Sequence, residues 1–268
     1  MEPKLENIHL ILSHTTEPMN IGAACRAMKN MGLPNLTLIN PRQAHGERAR
    51  VMAHGAEDVL NRARIVTHHN DATRNLIAVA GTTARRRELR KWAHVTPREC
   101  AEILVEHSAE GPVGLMFGTE RTGLTNDEIN TCRYLTMVDT DDAHSSLNLA
   151  QAVMVYGYEI REAWRRTTAG GASGPAMATS RPTHPHRSTK TPTKFELDTM
   201  YDHLAAAMDA IGYSAFERDK FLTFMRQMHM RAGIVNWEMQ IYHLFARKVL
   251  FTVGAPRFTR DRDEEIEQ

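Results

Sequence analysis

Three stretches of this sequence combine turn-forming residues with polar side chains in a pattern that suits a ligand site. They are "GTTARRRELRK" (81–91), "GTERTGLTNDE" (118–128) and "DTDDAHSSLNLA" (139–150), and each follows a short apolar run of strand length. Loops that leave the strands of a parallel sheet open on one edge, which is where open α/β sheets bind their ligands. If the three strands are neighbours, we expect the loops to converge on one pocket.

The second loop carries two glycines and a helix start. Gly118 and Gly123 allow a sharp turn or the close approach of a ligand, and Thr125 or Asn126 can cap the helix that follows. An ordinary strand-to-helix connection would show the same residues. The sequence contains neither G-x-G-x-x-G after a strand nor the phosphate loop G-x-x-x-x-G-K-[ST], which disfavours hydride and phosphoryl transfer.

The third loop ends in a serine-rich turn that runs directly into a long amphipathic helix. Ser145 or Ser146 can accept hydrogen bonds from the free backbone N–H groups of that helix. The turn is therefore either a helix cap or a surface that holds a ligand against the helix start, and the residues leave both interpretations open.

The first loop is strongly basic. It places five cationic side chains within seven residues: Arg85, Arg86, Arg87, Arg90 and Lys91. Such a run forms a solvated charged face or contacts phosphates through charge-assisted hydrogen bonds. Further basic residues follow in the C-terminal part, namely Lys220, Arg226, Arg231, Arg247 and Lys248.

Near the N-terminus, "NIGAACRAM" (20–28) predicts a helix that begins at the carboxyl edge of the first strand. Asn20 can cap this helix, and Gly22 keeps its first turn slim. Arg26 would lie about a turn and a half along, with the positive end of the helix dipole behind it, so an anion in front is its natural partner. The alternative is a surface arginine on an ordinary helix.

Composition sets the broad class of the protein. A net charge of +1 and an isoelectric point near 7.9 do not indicate a polycation, so any nucleic-acid binding requires local clusters of basic residues. Three widely spaced cysteines without a C-x-x-C pair favour a reducing cytoplasm. We expect no exported or membrane-spanning segment, since no apolar run reaches about 18 residues, and no metal site, since the histidines lack a partner set.

The elements that position these loops alternate between strand-like and helical patterns over residues 1–165. This alternation predicts an α/β domain with a parallel sheet and helices on both faces. Residues 166–194 are rich in Gly, Ser, Thr and Pro and predict a flexible basic linker. Residues 195–268 predict a small all-α extension whose methionine and aromatic stripes form its core, including Leu197 to Ile211 on one helix and Phe221 to Met228 on the next.

Three segments together resemble the motifs of the SPOUT class of RNA ribose methyltransferases. They are "NIGAACRAM" (20–28), "FGTERTGLTNDE" (117–128) and "SSLNLAQAV" (145–153), in this order and spacing. The sequence is most similar to the TrmJ-type tRNA 2′-O-methyltransferases, with "GTTAR" (81–85), "PREC" (97–100) and the helical extension as further support. The resemblance covers about residues 5–165 well and is loose beyond residue 195.

The resemblance implies a fold, a cofactor and a substrate. The last strands and the terminal helix of the catalytic domain would form a deep trefoil knot, S-adenosylmethionine would bind in the knotted loops, and two subunits would form a homodimer. The implied target is the ribose 2′-hydroxyl of nucleotide 32, C or U, in the tRNA anticodon loop.

Matching positions imply the site residues. The catalytic set would be Arg26, Asn20, Glu120 and Ser146. The cofactor would be held by Thr82, Thr83, Ala84, Gly118, Val138, Ser145, Ser146 and Leu147, and the basic run 85–91 would contact RNA. Three alternatives stay open: an enzyme of this fold with another tRNA position or ribosomal RNA as its target, an RNA-binding protein without catalysis, and a nucleotide-dependent α/β enzyme.

Overall fold

A computed structural model describes residues 2–83, 93–141, 146–168 and 190–255 of the chain. Contacts divide the chain into two compact units, Met1–Thr179 and Ser180–Gln268. The described part of the first unit holds all the strands, and that of the second holds three helices. No helix within these ranges is long and apolar enough to cross a membrane.

The first unit is built on a seven-stranded sheet in which every pair of neighbours is parallel. Its order is β3-β2-β1-β6-β4-β7-β5. The strands are β1 (Ile8–Ser13), β2 (Asn35–Ile39), β3 (Arg64–Val66), β4 (Ala78–Thr82), β5 (Ala93–Val95), β6 (Val113–Phe117) and β7 (Tyr134–Thr136). The predicted parallel sheet is confirmed.

Helices lie on both faces of this sheet. They are α1 (Pro18–Met31), α2 (Glu47–Met52), α3 (Glu57–Asn61), α4 (His69–Thr73), α5 (Pro97–Ser108), α6 (Asn126–Asn130) and α7 (Leu149–Thr168), after a short 3₁₀ turn at Leu5–Asn7. Leu10 and Leu12 of β1 belong to one buried cluster with residues of α1, α5 and α7, whereas Ile11 belongs to a second cluster with residues of α4 and α6. This alternation is the period of two expected of a strand covered on both faces.

Some elements of this unit differ from what the sequence pattern predicts. The pattern predicts a single helical stretch near 47–60, but the structure has two short helices there, because the chain turns at Gly55 with a φ of +79°. The elements α4 and β5 were not predicted, since segments of five and three residues are too short to show a periodic pattern.

The cap of α1 also differs from the prediction. Glu17 occupies the N-cap position, its side chain accepts from the Met19 N–H, and Pro18 opens the helix. Asn20 therefore lies inside the first turn. Gly22 allows α1 to pack closely on α2, because a Cβ at this position would lie 2.1 Å from the Ala49 carbonyl oxygen.

The cap of α7 also differs from the prediction. The helix begins at Leu149, and the Asn148 side-chain oxygen accepts from the Ala150 N–H at 2.9 Å. The Gln151 side chain accepts from the Asn148 N–H at 3.2 Å, which completes a reciprocal cap. Ser146 lies two residues before this cap and is exposed, so it does not cap α7.

The described part of the second unit contains three helices, α8 (Lys194–Ala210), α9 (Ala215–Ala232) and α10 (Asn236–Thr252). The predicted stripe on α8 is mostly buried, from Met200 to Met208, although Ile211 beyond its end is half exposed. The stripe on α9 belongs to the core only in part: Leu222 is buried and Met225 packs against the core, whereas the other three residues are exposed, namely Phe221, Phe224 and Met228. The two buried residues that α9 contributes are Leu222 and His229.

His229 joins the three helices of this unit. Its Nδ1 lies 2.7 Å from the hydroxyl of Tyr201 on α8, and its Nε2 lies 3.1 Å from the hydroxyl of Tyr242 on α10. Burial lowers the pKa of His229, because it penalises the charged imidazolium. A neutral imidazole offers one donor and one acceptor, which these two hydroxyls satisfy.

Candidate active site

The strands from which the predicted loops leave end at the carboxyl edge of one sheet, where the strand order reverses direction. The chain runs outward from β1 through β2 to β3, then returns to the other side of β1, and β6 later inserts between β1 and β4. The ends of β1 and β6 are therefore neighbours, with the ends of β4 and β7 beside them. In open α/β sheets this reversal point forms the ligand-binding crevice.

Glu120 binds the loop after β6 to the loop after β1. Its Oε2 accepts from the Thr16 N–H at 3.2 Å and from the Thr16 hydroxyl at 3.0 Å. Its Oε1 accepts from the Glu17 N–H at 3.3 Å and from the Asn20 side-chain amide at 2.9 Å. Partial burial would raise the pKa of the Glu120 carboxyl, but the hydrogen bonds from Asn20 and Thr16 outweigh it and leave the pKa below its ordinary value.

Asn20 extends this connection to the third motif. Its side-chain oxygen accepts from the Asn148 side-chain amide at 2.9 Å, while its amide nitrogen donates to Glu120. The three side chains form one hydrogen-bonded chain, Asn148–Asn20–Glu120, whose two bonds join residues 128 and 100 positions apart. The structure thus brings together one residue from each of the three predicted motifs.

The glycines of the second motif fold its loop tightly. Thr119 and Gly123 exchange backbone hydrogen bonds at 3.2 and 3.0 Å, and Gly123 has a φ of +69°. A Cβ on Gly118 would lie 2.0 Å from the Gly123 carbonyl carbon, so no larger residue fits there without moving the loop. The sharp turn proposed for these glycines is confirmed.

A second carboxylate beside this loop, buried in this case, was missed by the sequence analysis. Glu128 is 3% exposed, and its Oε2 accepts from the Thr125 N–H and hydroxyl at 2.7 and 2.9 Å. In return the Thr125 hydroxyl accepts from the Glu128 N–H at 3.3 Å, which makes Thr125 the cap of α6. Its Oε1 accepts from the Ser13 hydroxyl at the end of β1, with His14 Nδ1 3.7 Å away. Thr125, one of the two predicted caps, is thus confirmed, and the spacing T-x-x-E in "TNDE" is the sequence signal that would have identified Glu128.

Arg26 lies further from the helix start than predicted. Because α1 begins at Pro18, Arg26 is more than two turns along the helix, beyond the first turn in which the dipole acts strongly. Its side chain is exposed, and among the described residues it forms no hydrogen bond or ion pair. Arg26 can therefore bind an anion because it is charged and exposed, and not because it lies at the positive end of the helix dipole.

The strand ends contribute the remaining described positions. The Thr82 hydroxyl donates to the Met116 carbonyl at 3.2 Å, and the Thr83 N–H donates to the Thr136 carbonyl at 2.9 Å. Val138 lies two residues beyond the end of β7 and is half buried against the main core. Leu147 is half buried and Ser146 exposed. The other predicted positions lie outside the described residues: Ala84, Arg85, Arg86, Arg87, Arg90, Lys91 and Ser145.

Comparisons with known proteins identify the family of the chain. The SpoU rRNA methylase family matches residues 7–158, more than half of the chain. The chain belongs to the SpoU rRNA methylase family. The match spans β1 to α7 and so includes all three motifs joined by the Asn148–Asn20–Glu120 chain.

Within the SpoU family the chain is of the TrmJ type. It is 39% identical over 238 residues to the tRNA (cytidine/uridine-2′-O-)-methyltransferase TrmJ of Salmonella typhimurium, covering 88% of this chain and 93% of the relative. The Escherichia coli K12 TrmJ matches at the same identity, with 92% of its length covered. The crystal structure of TrmJ from Z. mobilis superimposes with a TM-score of 0.70 at 28% identity, covering 90% of this chain and 98% of that one.

A first prediction for this SpoU methylase concerns Glu120. Because its pKa is depressed in the folded protein, the stability it provides is present above the ordinary value of 4.5 and is lost as the pH falls through the lower, folded value. We expect Glu120→Gln to reduce the free energy of unfolding by about 1 kcal/mol at pH 7, a figure kept small because the carboxylate is partly exposed.

Urea unfolding of both proteins at several pH values measures this effect. The difference between wild type and Glu120→Gln should shrink as the pH falls below 4.5. Glu106→Gln, which alters an exposed carboxylate on α5, is the matched control and should stay within about 0.5 kcal/mol of wild type. A difference that is constant with pH would contradict the role given to the Glu120 charge.

A second prediction separates Asn148 from Ser146. Asn148→Ala removes the cap of α7 and the donor to Asn20, so it should reduce the free energy of unfolding by about 1–2 kcal/mol. Ser146→Ala should change it by less than about 0.5 kcal/mol, because the exposed Ser146 is not the cap. Equal losses in the two variants, measured by urea unfolding, would show that the cap is assigned to the wrong residue.

Proposed function

We propose that this SpoU methylase transfers a methyl group from S-adenosylmethionine to the ribose 2′-hydroxyl of nucleotide 32, C or U, in the anticodon loop of tRNA. The observation that carries the proposal is the Asn148–Asn20–Glu120 chain, which joins the three motifs at the reversal point of the sheet. The identity to TrmJ enzymes over 88% of the chain supports tRNA as the substrate.

The described residues suit S-adenosylmethionine in their chemistry. Val138 and Leu147 are half-buried apolar side chains that can contact an adenine ring, while Thr82 and Thr83 supply polar groups at the end of β4. The Thr15 hydroxyl, just after β1, is buried without a partner in the described structure, and such a group is normally satisfied by water or a ligand. We assign the cofactor to these residues together with Gly118, Ala84, Ser145 and Ser146.

When bound, S-adenosylmethionine supplies an electrophilic methyl group whose positive charge is quenched as it transfers. The protein must therefore chiefly hold the ribose oxygen in line with the methyl group. Arg26 suits this task as an exposed cation that binds the ribose hydroxyl or an adjacent phosphate. A guanidinium with a pKa above about 12 is a poor base, so we assign Arg26 to orientation and leave removal of the hydroxyl proton to another group.

Glu120 and Asn20 have a positioning role in this proposal. Their side chains form hydrogen bonds to each other and to the backbone of the loop after β1. In this way they shape the crevice beside Arg26. The basic run Arg85, Arg86, Arg87, Arg90 and Lys91 would bind the tRNA backbone beside this crevice.

We extend the proposal to the remaining features implied by the resemblance. The segment after β7 and helix α7 would form the trefoil knot of a SPOUT catalytic domain (1–165), followed by the linker (166–194) and the helical extension (195–268). Two catalytic domains would pair as a homodimer. A reducing cytoplasm suits the three free cysteines, Cys25, Cys100 and Cys132, all of which are buried.

The decisive experiment incubates the purified protein with labelled S-adenosylmethionine and unmodified total tRNA. Nuclease digestion and mass spectrometry should locate one 2′-O-methyl group at nucleotide 32 of the anticodon loop. Transcripts of a single tRNA with C or U at this position would then show which bases are accepted. A methyl group at another tRNA position or in ribosomal RNA would favour the alternative targets, and cofactor binding without turnover would favour an RNA-binding protein.

A third prediction tests orientation against proton removal at Arg26. Arg26→Lys keeps a cation but changes its geometry, so the methylation rate should fall about tenfold or more while the pH profile keeps its shape. If Arg26 were the base, the lower pKa of lysine would shift the rising limb of the profile to lower pH. Single-turnover rates over a pH series, with Lys29→Arg on the same helix as control, distinguish the two roles.

A further inference from the structure

A histidine at the end of β1 has one ring nitrogen bonded and the other accessible. His14 follows Ser13, the last residue of β1, and its Nδ1 lies 2.8 Å from the Ser13 hydroxyl oxygen. Among the described residues its Nε2 forms no hydrogen bond or ion pair, and the side chain is 45% exposed. The Nε2 of His14 can therefore contact a ligand at the carboxyl edge of the sheet.

The hydrogen bonds of Ser13 determine which ring nitrogen of His14 carries the proton. A serine hydroxyl has one hydrogen, and Ser13 donates it to the Glu128 carboxylate, which only accepts. Toward His14 the Ser13 oxygen must then be the acceptor, so the proton of the neutral imidazole is on Nδ1. Nε2 consequently has a free lone pair, which is what a proton acceptor requires.

Glu128 is placed to stabilise the charged form of the same imidazole. Its Oε1 lies 3.7 Å from His14 Nδ1, and its side chain is 4% exposed. A carboxylate behind one histidine nitrogen orients the ring and stabilises the imidazolium that forms when the other nitrogen takes up a proton. The N–H and hydroxyl of Thr125 hold this carboxylate in place, so the negative charge is fixed before any substrate binds.

The backbone of His14 adopts a conformation that is uncommon outside glycine. Its φ is +50°, in the left-handed region, and its N–H donates to the Ile39 carbonyl of β2 at 2.8 Å. Such a backbone costs free energy and is found most often at active sites and ligand-binding turns. The His14 ring is therefore positioned by contacts with β1, β2 and α6 together.

The loop that begins with His14 also forms part of the candidate active site. Thr16, two residues later, donates to Glu120 through its N–H and its hydroxyl. Between them, the hydroxyl of Thr15 is buried without a partner in the described structure, as expected beside a bound water or ligand. His14 is thus within two residues of the contacts that shape the proposed crevice.

We propose that His14 is the general base that accepts the ribose proton; this inference rests on the methyl transfer proposed above. The ribose oxygen forms a bond to the methyl carbon and loses its proton to Nε2 of His14, while the electron pair of the broken S–CH₃ bond stays on sulfur. The products are the 2′-O-methylated ribose, S-adenosylhomocysteine and an imidazolium beside the Glu128 carboxylate. A positioned general base contributes about 10²–10⁴-fold to a rate. Arg26 keeps its orienting role.

This role sets the sign of the pH dependence. An imidazole that already carries a proton on Nε2 accepts no other, so methylation must slow as the pH falls. Of the elements that contact His14, α6 presents the Glu128 carboxylate and β2 the uncharged carbonyl of Ile39. Arg42, in the loop after β2, donates through its backbone N–H to the neighbouring Thr15 carbonyl. We expect the single-turnover rate to rise from about pH 5 and to level off by about pH 8.

His14→Asn is the variant that tests the proposal. Asparagine tolerates a positive φ, and its amide can replace the Nδ1–H donor to Ser13, but it has no nitrogen that accepts a proton. Single-turnover methylation of unmodified tRNA at saturating S-adenosylmethionine should fall about 100-fold or more, and the rise of the rate with pH should disappear. The affinities for tRNA and cofactor should stay within about twofold of wild type, because the change affects the chemical step.

The matched control is His45→Asn, which alters an exposed histidine in the loop after β2. It should keep both the wild-type rate and the wild-type pH profile. Circular dichroism and urea unfolding check that both variants are folded. If His14→Asn does not fold, the wild-type profile decides, since a rate that is constant between about pH 5 and 8 contradicts an imidazole base.

Two further results would overturn the assignment of His14. One is a folded His14→Asn protein that methylates tRNA within about threefold of the wild-type rate, because a lost general base costs far more. The other is a loss of activity matched by an equal loss of tRNA affinity, which would place His14 in substrate binding. The proposed function fails separately: wild type that binds the cofactor but methylates no tRNA refutes methyl transfer itself, whereas an active His14→Asn protein leaves that function intact.

Discussion

The hydrogen bonds of the Glu120 carboxylate are the contact on which the candidate site depends. Four donors from the short segment Thr16 to Asn20 bind its two oxygens, so the loop after β6 fixes the entry into α1. A carboxylate with this many donors is held in one place and keeps its charge to lower pH. Asn148, through Asn20, then orients the start of α7 against the same point.

This arrangement is possible only because of the order of the strands. The second motif follows β6, which enters the sheet late and takes the place beside β1. The register pairs Leu12 near the end of β1 with Phe117 at the end of β6, so the loops that leave them start at the same height. Glu128 strengthens this junction from the other side, since its buried carboxylate joins the cap of α6 to Ser13. The catalytic residues in our proposal are thus positioned by rigid secondary-structure elements.

The second unit is stabilised differently. Its α9 contributes little apolar burial, and His229 attaches it to α8 and α10 through two tyrosine hydroxyls. Its α10 has apolar residues on both sides. A small three-helix unit buries only part of its apolar surface internally. Four apolar residues of α10 accordingly stay exposed in the described structure: Ile241, Leu244, Phe245 and Phe251.

The sequence by itself determined the alternation of strands and helices, the positions of the three motif loops and the glycine turn at 118–123, because these depend on local periodicity and backbone freedom. It did not determine that Glu17 and Asn148, rather than Asn20 and Ser146, cap α1 and α7, since several neighbouring polar residues satisfy a cap equally well. Nor did it reveal the bonds of Glu120 to Thr16 or of Glu128 to Ser13, which join residues more than 100 positions apart. The exposed face of α10 was equally hidden, because helical spacing shows that apolar residues share a side but not whether anything covers it. Those features were decided by the order of strands in the sheet and by the packing of helices, which bring distant side chains together.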